Sequence, residues 1–216
     1  MYLQENTTEY DSNESAHIQY SIGSLEKVFK DLRAGQLYRN MARIEDVAPE
    51  FTLCNQVGER INLKEKLASG PVVLFFNQGD RNSNRSSEID SIENILPSIS
   101  SYKASLLVVT PQTLYESDNT AGDINFKYDK LSDVENRVAS QYGLVFEFTD
   151  QLEKNFETFG IDRMYYDKLQ GWMLPVPAIY IIHPNQNILF SYVKTNDRLQ
   201  VNPKDILETL RENYAH

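Results

Sequence analysis

The chain of 216 residues has one cysteine, Cys54, which excludes an internal disulfide. Its three histidines, His17, His183 and His216, are scattered. With a single thiol they argue against a zinc site, and no metal or cofactor is expected. Long apolar runs are missing as well, and no stretch approaches the ~20 residues of a membrane-spanning helix. The first sixteen residues are polar and acidic and lack the basic-then-apolar layout of a signal peptide. Together with the cysteine count this predicts a cytoplasmic protein. Positive charge is in the minority, 21 Lys and Arg against 31 Asp and Glu, for a formal charge of −10. Such a surface argues against nucleic acid or an anionic membrane as the main partner.

What is present is a globular composition, 41% hydrophobic and 11% aromatic, in a chain long enough for one domain with an extension. The organising stretch is Val72-Val73-Leu74-Phe75-Phe76, five consecutive apolar residues that read as a strand buried on both faces. A polar loop follows, and then Ile89, Ile92, Ile95, Leu96 and Ile99 recur at helical spacing. A buried strand feeding a helix N-terminus is where α/β proteins place their chemistry, because unpaired N–H groups and the helix dipole favour negative charge there. Yet the loop between them holds no Cys, no His and no glycine-rich phosphate cradle.

In chain order, residues 1–16 read as a disordered tail. Residues 17–43 read as an N-terminal helical extension, with Ile18, Ile22, Leu25, Val28, Phe29, Leu32 and Leu37 on one face and Gly23 and Gly35 weakening or ending it. An amphipathic helix needs a surface, so it is expected to dock on its own domain or on a second copy of the chain. Ala48–Leu53 and Arg60–Leu63 flank a Gln-Val-Gly-Glu turn, a predicted hairpin, and Lys64–Ala68 a short helix. Pro97 is expected to kink or end the helix after the loop. Ser105–Thr110 is a second buried strand ended by Pro111, and residues 125–131 a shorter one. Ser132-Asp133-Val134-Glu135 has a capping-box pattern and predicts a helix with Val134, Val138 and Tyr142 inward, stopped by Gly143. Residues 150–159 read as a further helix. Ala178–Ile182 and Ile188–Val193 form a predicted hairpin, and Asn202-Pro203 opens a terminal helix. The order predicts a mixed-sheet α/β fold without repeats.

Several of these stretches carry a resemblance: Ala48-Pro49-Glu50-Phe51-Thr52-Leu53, Gly70-Pro71-Val72-Val73-Leu74-Phe75-Phe76, Pro111-Gln112, Leu131-Ser132-Asp133, Tyr142-Gly143-Leu144-Val145-Phe146-Glu147 and Leu174-Pro175-Val176-Pro177-Ala178. In order and spacing, from Ala48 onward, they resemble the alkyl hydroperoxide reductase and thiol-specific antioxidant family, in its peroxiredoxin-like branch. The resemblance implies a thioredoxin-like mixed central sheet flanked by helices over residues 44–216. It also implies a cis proline facing the active-site loop, assigned to Pro177. In that family the strand leads to a peroxidatic cysteine at the helix start, often as Cys-Pro-x-Cys. Here the four positions read Asn82-Ser83-Asn84-Arg85, so Asn82 stands at the peroxidatic position and Arg85 at the resolving one. An amide has no nucleophilic sulfur to attack an O–O bond.

The remaining candidates have plainer readings. Cys54 reads as a small hydrophobe in the hairpin and His183 as a turn residue. Ser83, Ser86 and Ser87 read as helix caps, Asp80 and Glu88 as solvated charges, and Tyr165, Tyr166 and Trp172 as satellite packing. Two function classes follow. One is a degenerate peroxiredoxin-like protein without thiol peroxidase chemistry, acting as a binding module for a protein partner, a second copy, or a small anion at the loop. Its expected binding residues are Arg81, Asn82, Ser83, Arg85 and Pro177. The alternative is an active thiol-dependent oxidoreductase of the family that uses Cys54 or a partner's thiol.

Overall fold

The computed structural model describes residues 35–77, 87–112, 127–145, 175–194 and 201–214. The chain divides into two compact units, Met1–Arg39 and Asn40–His216. In the first unit the described residues, 35–39, are helical, Gly35 included. The rest of the predicted N-terminal helix, and the helix expected at 150–159, lie outside the described residues.

Among its described residues the second unit has seven strands: β1 (Thr52–Asn55), β2 (Arg60–Asn62), β3 (Val72–Phe76), β4 (Ser105–Thr110), β5 (Asp129–Ser132), β6 (Ala178–Ile182) and β7 (Ile188–Val193). They form one sheet in the order β2-β1-β5-β4-β3-β6-β7. β3, β4 and β5 run parallel, while β1, β2, β6 and β7 join by antiparallel pairings, so the sheet is mixed. Among the described residues four helices accompany it: α1 (Leu63–Leu67), α2 (Ser87–Ser101), α3 (Arg137–Gln141) and α4 (Pro203–Tyr214).

Alternation along the strands sorts the core into two layers. On one face, Leu74, Phe76, Leu107, Val109, Leu131 and Tyr180 pack with Leu63 and Leu67 of α1 and with Val138 and Ala139 of α3. On the other, Val73, Phe75, Leu106, Val108, Ile179 and Ile181 pack under Ile92, Leu96 and Ile99 of α2 and Ile206 and Leu210 of α4. Every residue of β3 is buried, which explains its unbroken apolar run.

Three local expectations are corrected. Of the kink or end expected at Pro97, the end is corrected: the proline lies inside α2, which continues to Ser101. Pro97 itself is exposed, while Ile92, Leu96 and Ile99 on either side of it are buried. The carbonyl that loses its hydrogen bond is thus on the solvent side, and the apolar face holds the helix together. β5 begins at Asp129, with residues 127–128 in a bend, so the strand is later than expected at that end. The third concerns the turn after β5. Ser132 is still strand, and α3 begins only at Arg137, after Asn136 in a left-handed conformation (φ 53°) that offers no side-chain cap. The cap oxygen comes from Asp133, whose carboxylate accepts from the N–H of Val138 (3.0 Å) and of Ala139 (2.9 Å). This later start turns Val134 outward, 53% exposed, while Val138 and Tyr142 stay inside. Gly143 does end the helix: its φ is +66°, and a Cβ there would overlap the carbonyl of Asn40.

Candidate functional site at the strand ends

The C-terminal ends of the parallel strands are brought level by the sheet register. Thr110 pairs with Ser132, Ser132 with Cys54, and Cys54 with Arg60. On the other side, Phe76 pairs with both Val109 and Ala178, which puts Asn77 between Thr110 and Pro177. The N–H of Asn77 donates to Val109 O (2.8 Å), and the N–H of Lys194 to Pro177 O (2.9 Å). One transverse row therefore runs Lys194, Pro177, Asn77, Thr110, Ser132, Cys54, Arg60. Directly paired residues share a face, so this row points to the side covered by α2 and α4.

The row is closed at its centre and opens toward β1. Asn77 and Thr110 are buried, Pro177 and Ser132 half-buried, and Cys54 exposed. Over its middle sits the backbone of Gln112: its N–H approaches Thr110 Oγ1 at 3.4 Å, and the Ser132 hydroxyl donates to its carbonyl at 2.6 Å. Thr110 O accepts from the N–H of Asp133 (2.8 Å), which ties the end of β4 to the turn before α3.

The opposite face of the same strand ends is held by aromatic rings. Phe76, Tyr142 and Tyr180 pack in tilted and edge-to-face contacts, with centroids 5.0 Å (Phe76–Tyr142), 5.2 Å (Tyr142–Tyr180) and 6.1 Å (Phe76–Tyr180) apart. The Tyr142 hydroxyl donates to Pro49 O at 3.1 Å. Burial pushes both phenols far above their ordinary range; Tyr180 adds to the effect on Tyr142, while the Ser191 hydroxyl pulls Tyr180 back and Asp46 raises it further. Both rings are neutral packing groups that fix where β3 ends and the loop begins.

The sequence candidates distribute unevenly. Arg81, Asn82, Ser83 and Arg85 lie outside the described residues, as do Asp80, Ser86, Tyr165, Tyr166, Trp172, His17 and His216. Ser87 is the first residue of α2. Pro177 is placed across from the end of β3, but the structure contains no cis peptide among the described residues, so the expected cis bond there is corrected to trans. Backbone bonds fix both sides of this proline, Val176 N–H to Leu144 O (2.8 Å) and Lys194 N–H to Pro177 O, and the ordinary trans peptide satisfies them. His183 is a turn residue, its Nδ1 accepting from the N–H of Asn185 at 3.1 Å and its ring stacked on Tyr214. Among the described residues no cluster of His, Cys, Asp or Glu has the makings of a metal site.

A model of the AhpC/TSA family matches residues 44–191, the stretch from the approach to β1 almost to the end of β7. The chain belongs to the AhpC/TSA family. Solved structures agree on the fold of this family member. Peroxidoxin BcpB from Mycobacterium tuberculosis superposes with a TM-score of 0.60 at 21% identity, over 79% of this chain and 97% of that one. The mitochondrial 2-Cys peroxiredoxin from Plasmodium falciparum gives 0.57 at 15% identity, over 79% and 94%. A thiol peroxidase from Chromobacterium violaceum gives 0.56 at 16% identity, over 80% and 88%. No curated protein matches the sequence. The expected thioredoxin-like mixed sheet is thereby established, in a family member whose one cysteine lies on β1.

Sequence reasoning missed the buried polar residues Asn77, Thr110 and Asp133. The available signal was positional: each is the polar residue that ends a run of strand residues, as in Phe75-Phe76-Asn77 and Val108-Val109-Thr110.

Proposed function

We propose that this AhpC/TSA-family protein has left thiol peroxidase chemistry and works as a binding module. The observation that carries the reading is the location of its single thiol. Cys54 stands on β1, three strand spacings, or about 14 Å, from the end of β3 where the family's nucleophile would emerge. Attack on an O–O bond requires reacting atoms about 3–3.5 Å apart, and Asn82 supplies none. What the loop retains is charge and donors. Arg81 and Arg85 flank Asn82 and Ser83 just before α2, a setting suited to a small anion. The chain that precedes the family domain, a tail over 1–16 and an amphipathic extension over 17–43, supplies a surface for a protein partner or a second copy.

A second reading is kept because Cys54 is exposed and shares its row and face with Asn77 and Thr110. In that reading the protein is a thiol-dependent oxidoreductase working through Cys54. Hydrogen peroxide consumption under excess dithiothreitol separates the two. The binding-module reading expects no turnover above buffer for either the native protein or Cys54→Ala. Thiol-dependent turnover that Cys54→Ala abolishes would replace it with the second reading.

A further inference from the structure

Tyr142, just after α3, is gripped twice by the chain that leads into the family domain. The N–H of Ala42 donates to Tyr142 O (3.0 Å), and the Tyr142 hydroxyl donates to Pro49 O (3.1 Å). Asn40 lies directly on Gly143, so close that a Cβ there would overlap its carbonyl. Residues 40–49 thus wrap one fully buried tyrosine, holding its backbone at one end and its hydroxyl at the other.

The two grips differ in how firmly they are anchored. Pro49 sits between Ala48 and Phe51, both buried in the core on the α1 and α3 side of the sheet. Ala42 has no such neighbours: residues 43–47 are all exposed, Ile44 and Val47 among them. Little apolar burial holds that stretch down. Its hold is polar, from the Ser191 hydroxyl to Ala42 O (3.2 Å) and from backbone bonds joining Glu45 and Asp46 to Ile188 (2.9 Å each). Glu45 also has φ +76°, a left-handed conformation that favours glycine and works against the docked form. Residues 40–47 are therefore able to leave while 48–51 stay.

The ring of Tyr142 in turn holds the end of β3. Its centroid is 5.0 Å from that of Phe76, the last residue of the strand. The next residue, Asn77, lies in the row of strand ends and closes on Val109 O through its N–H (2.8 Å). On the other side, Tyr142 depends on a helix of five residues, too short to stand without tertiary support. Its own N–H reaches back to Val138 O at 3.2 Å, and its carbonyl is supported by Ala42. With Ala42 gone that carbonyl loses its donor, the last turn frays, and the ring loosens on Phe76.

We propose that residues 40–47 are a releasable strap and Tyr142 the positioning residue through which it sets the end of β3. Docked, the strap holds Tyr142 on Phe76 and keeps Asn77 closed on β4; released, it lets the strand end and the junction after it loosen. The strap follows directly on the N-terminal unit, so an event that pulls on that unit reaches Tyr142 through the backbone. This rests on the binding-module reading of the junction after β3 and adds its regulation, with the strap as the two-state element.

The test is hydrogen exchange on the full chain. Ala42→Pro removes the N–H that Tyr142 O accepts and leaves Tyr142, Phe76 and Pro49 in place. The Asn77 amide should then exchange at least about tenfold faster than in the native protein, while that of Phe75 changes less than about twofold. Equal acceleration at both would mean a general loss of stability, and no change at Asn77 would mean that the strap does not reach β3; either overturns the proposal. In a Phe76→Leu background, which lacks the ring contact, Ala42→Pro should leave Asn77 unchanged, and undiminished acceleration there would overturn the role of Tyr142. The unaltered protein answers the same question should a variant not fold. Its Ala42 and Asn77 amides should exchange within about threefold of each other and at least about tenfold faster than Phe75. Asn77 exchanging at the rate of Phe75 would overturn the proposal. Peroxide turnover does not enter these rates, so a failure of the binding-module reading and a failure of the strap are told apart.

Discussion

Removing the carboxylate of Asp133 is expected to cost more stability than any neighbouring polar substitution. Asp133 is 4% exposed, and its side chain is the acceptor for two N–H groups at the start of α3. Asn136, in the cap position, gives no side-chain cap bond to the helix start. In Asp133→Ala both donors lose their partner inside the protein, at about 1–3 kcal/mol each. Allowing for water entering the vacated space, the expected loss is about 3 kcal/mol, a sizeable part of the roughly 5–15 kcal/mol that holds a domain together. For a chain of this size that lowers Tm by about 6–12 °C. Asp133→Asn keeps one acceptor oxygen and should lose about half as much. Ser132→Ala, which would be the damaging change if Ser132 were the cap, removes only the bond to Gln112 O and should cost about 1 kcal/mol. The assay is urea denaturation of the three variants at neutral pH, with unchanged m-values as the check that unfolding is comparable. A loss below about 0.5 kcal/mol in Asp133→Ala, or a larger one in Ser132→Ala, would refute the reasoning.

Other predictions follow from single contacts. Burial raises the pKa of Tyr142 and Tyr180, so above pH ~10 the unfolded chain sheds phenolic protons that the native one keeps, and stability falls as pH rises. Each group contributes a slope of about 1.4 kcal/mol per pH unit, and denaturation of Tyr142→Phe between about pH 10.5 and 12 should show a decline shallower by that amount. Gly143→Ala forces a left-handed alanine against the Asn40 carbonyl and should lose about 2–4 kcal/mol in the same denaturation experiment; a neutral result would mean the 40–41 segment gives way freely. If the strand–helix junction retains an anion-stabilising field, Asn82→Cys in a Cys54→Ala background should have a thiol pKa below the ordinary value of about 8.5. The pH dependence of iodoacetamide alkylation measures it, and an unshifted or raised value would retire the anion site.

The parts of the fold legible in the sequence are those whose signal is local and repeated. Val72–Phe76 is buried on both faces and reads as an apolar run, Ile92, Leu96 and Ile99 recur at helical spacing, and Asn202-Pro203 marks the start of α4. Misreadings occurred where tertiary structure outweighs a local rule. Pro97 is tolerated because its neighbours' burial holds the helix, and the capping box at Ser132 gave way to a buried carboxylate one residue on. The row from Pro177 to Arg60 had no sequence signal, since its members come from six strands or strand ends and meet only through register. The lack of any cysteine in the loop after β3, by contrast, was legible at once, because it needs no geometry.

The position of β3 bears on how the chain is made. This strand is buried at every position, paired on one side with β4, which follows it closely, and on the other with β6, where Val72 meets Ile182. During synthesis β4 can pair early, but the second edge of Val72–Phe76 stays open until about 100 further residues have emerged. At roughly 5–20 residues per second that interval is about 5–20 s. A fully apolar strand with an unpaired edge for that long is a template for the wrong neighbour. The nascent chain's exposure to aggregation thus lasts until β6, about the start of the final fifth of the chain, arrives, and a truncation anywhere ahead of β6 would make that exposure permanent.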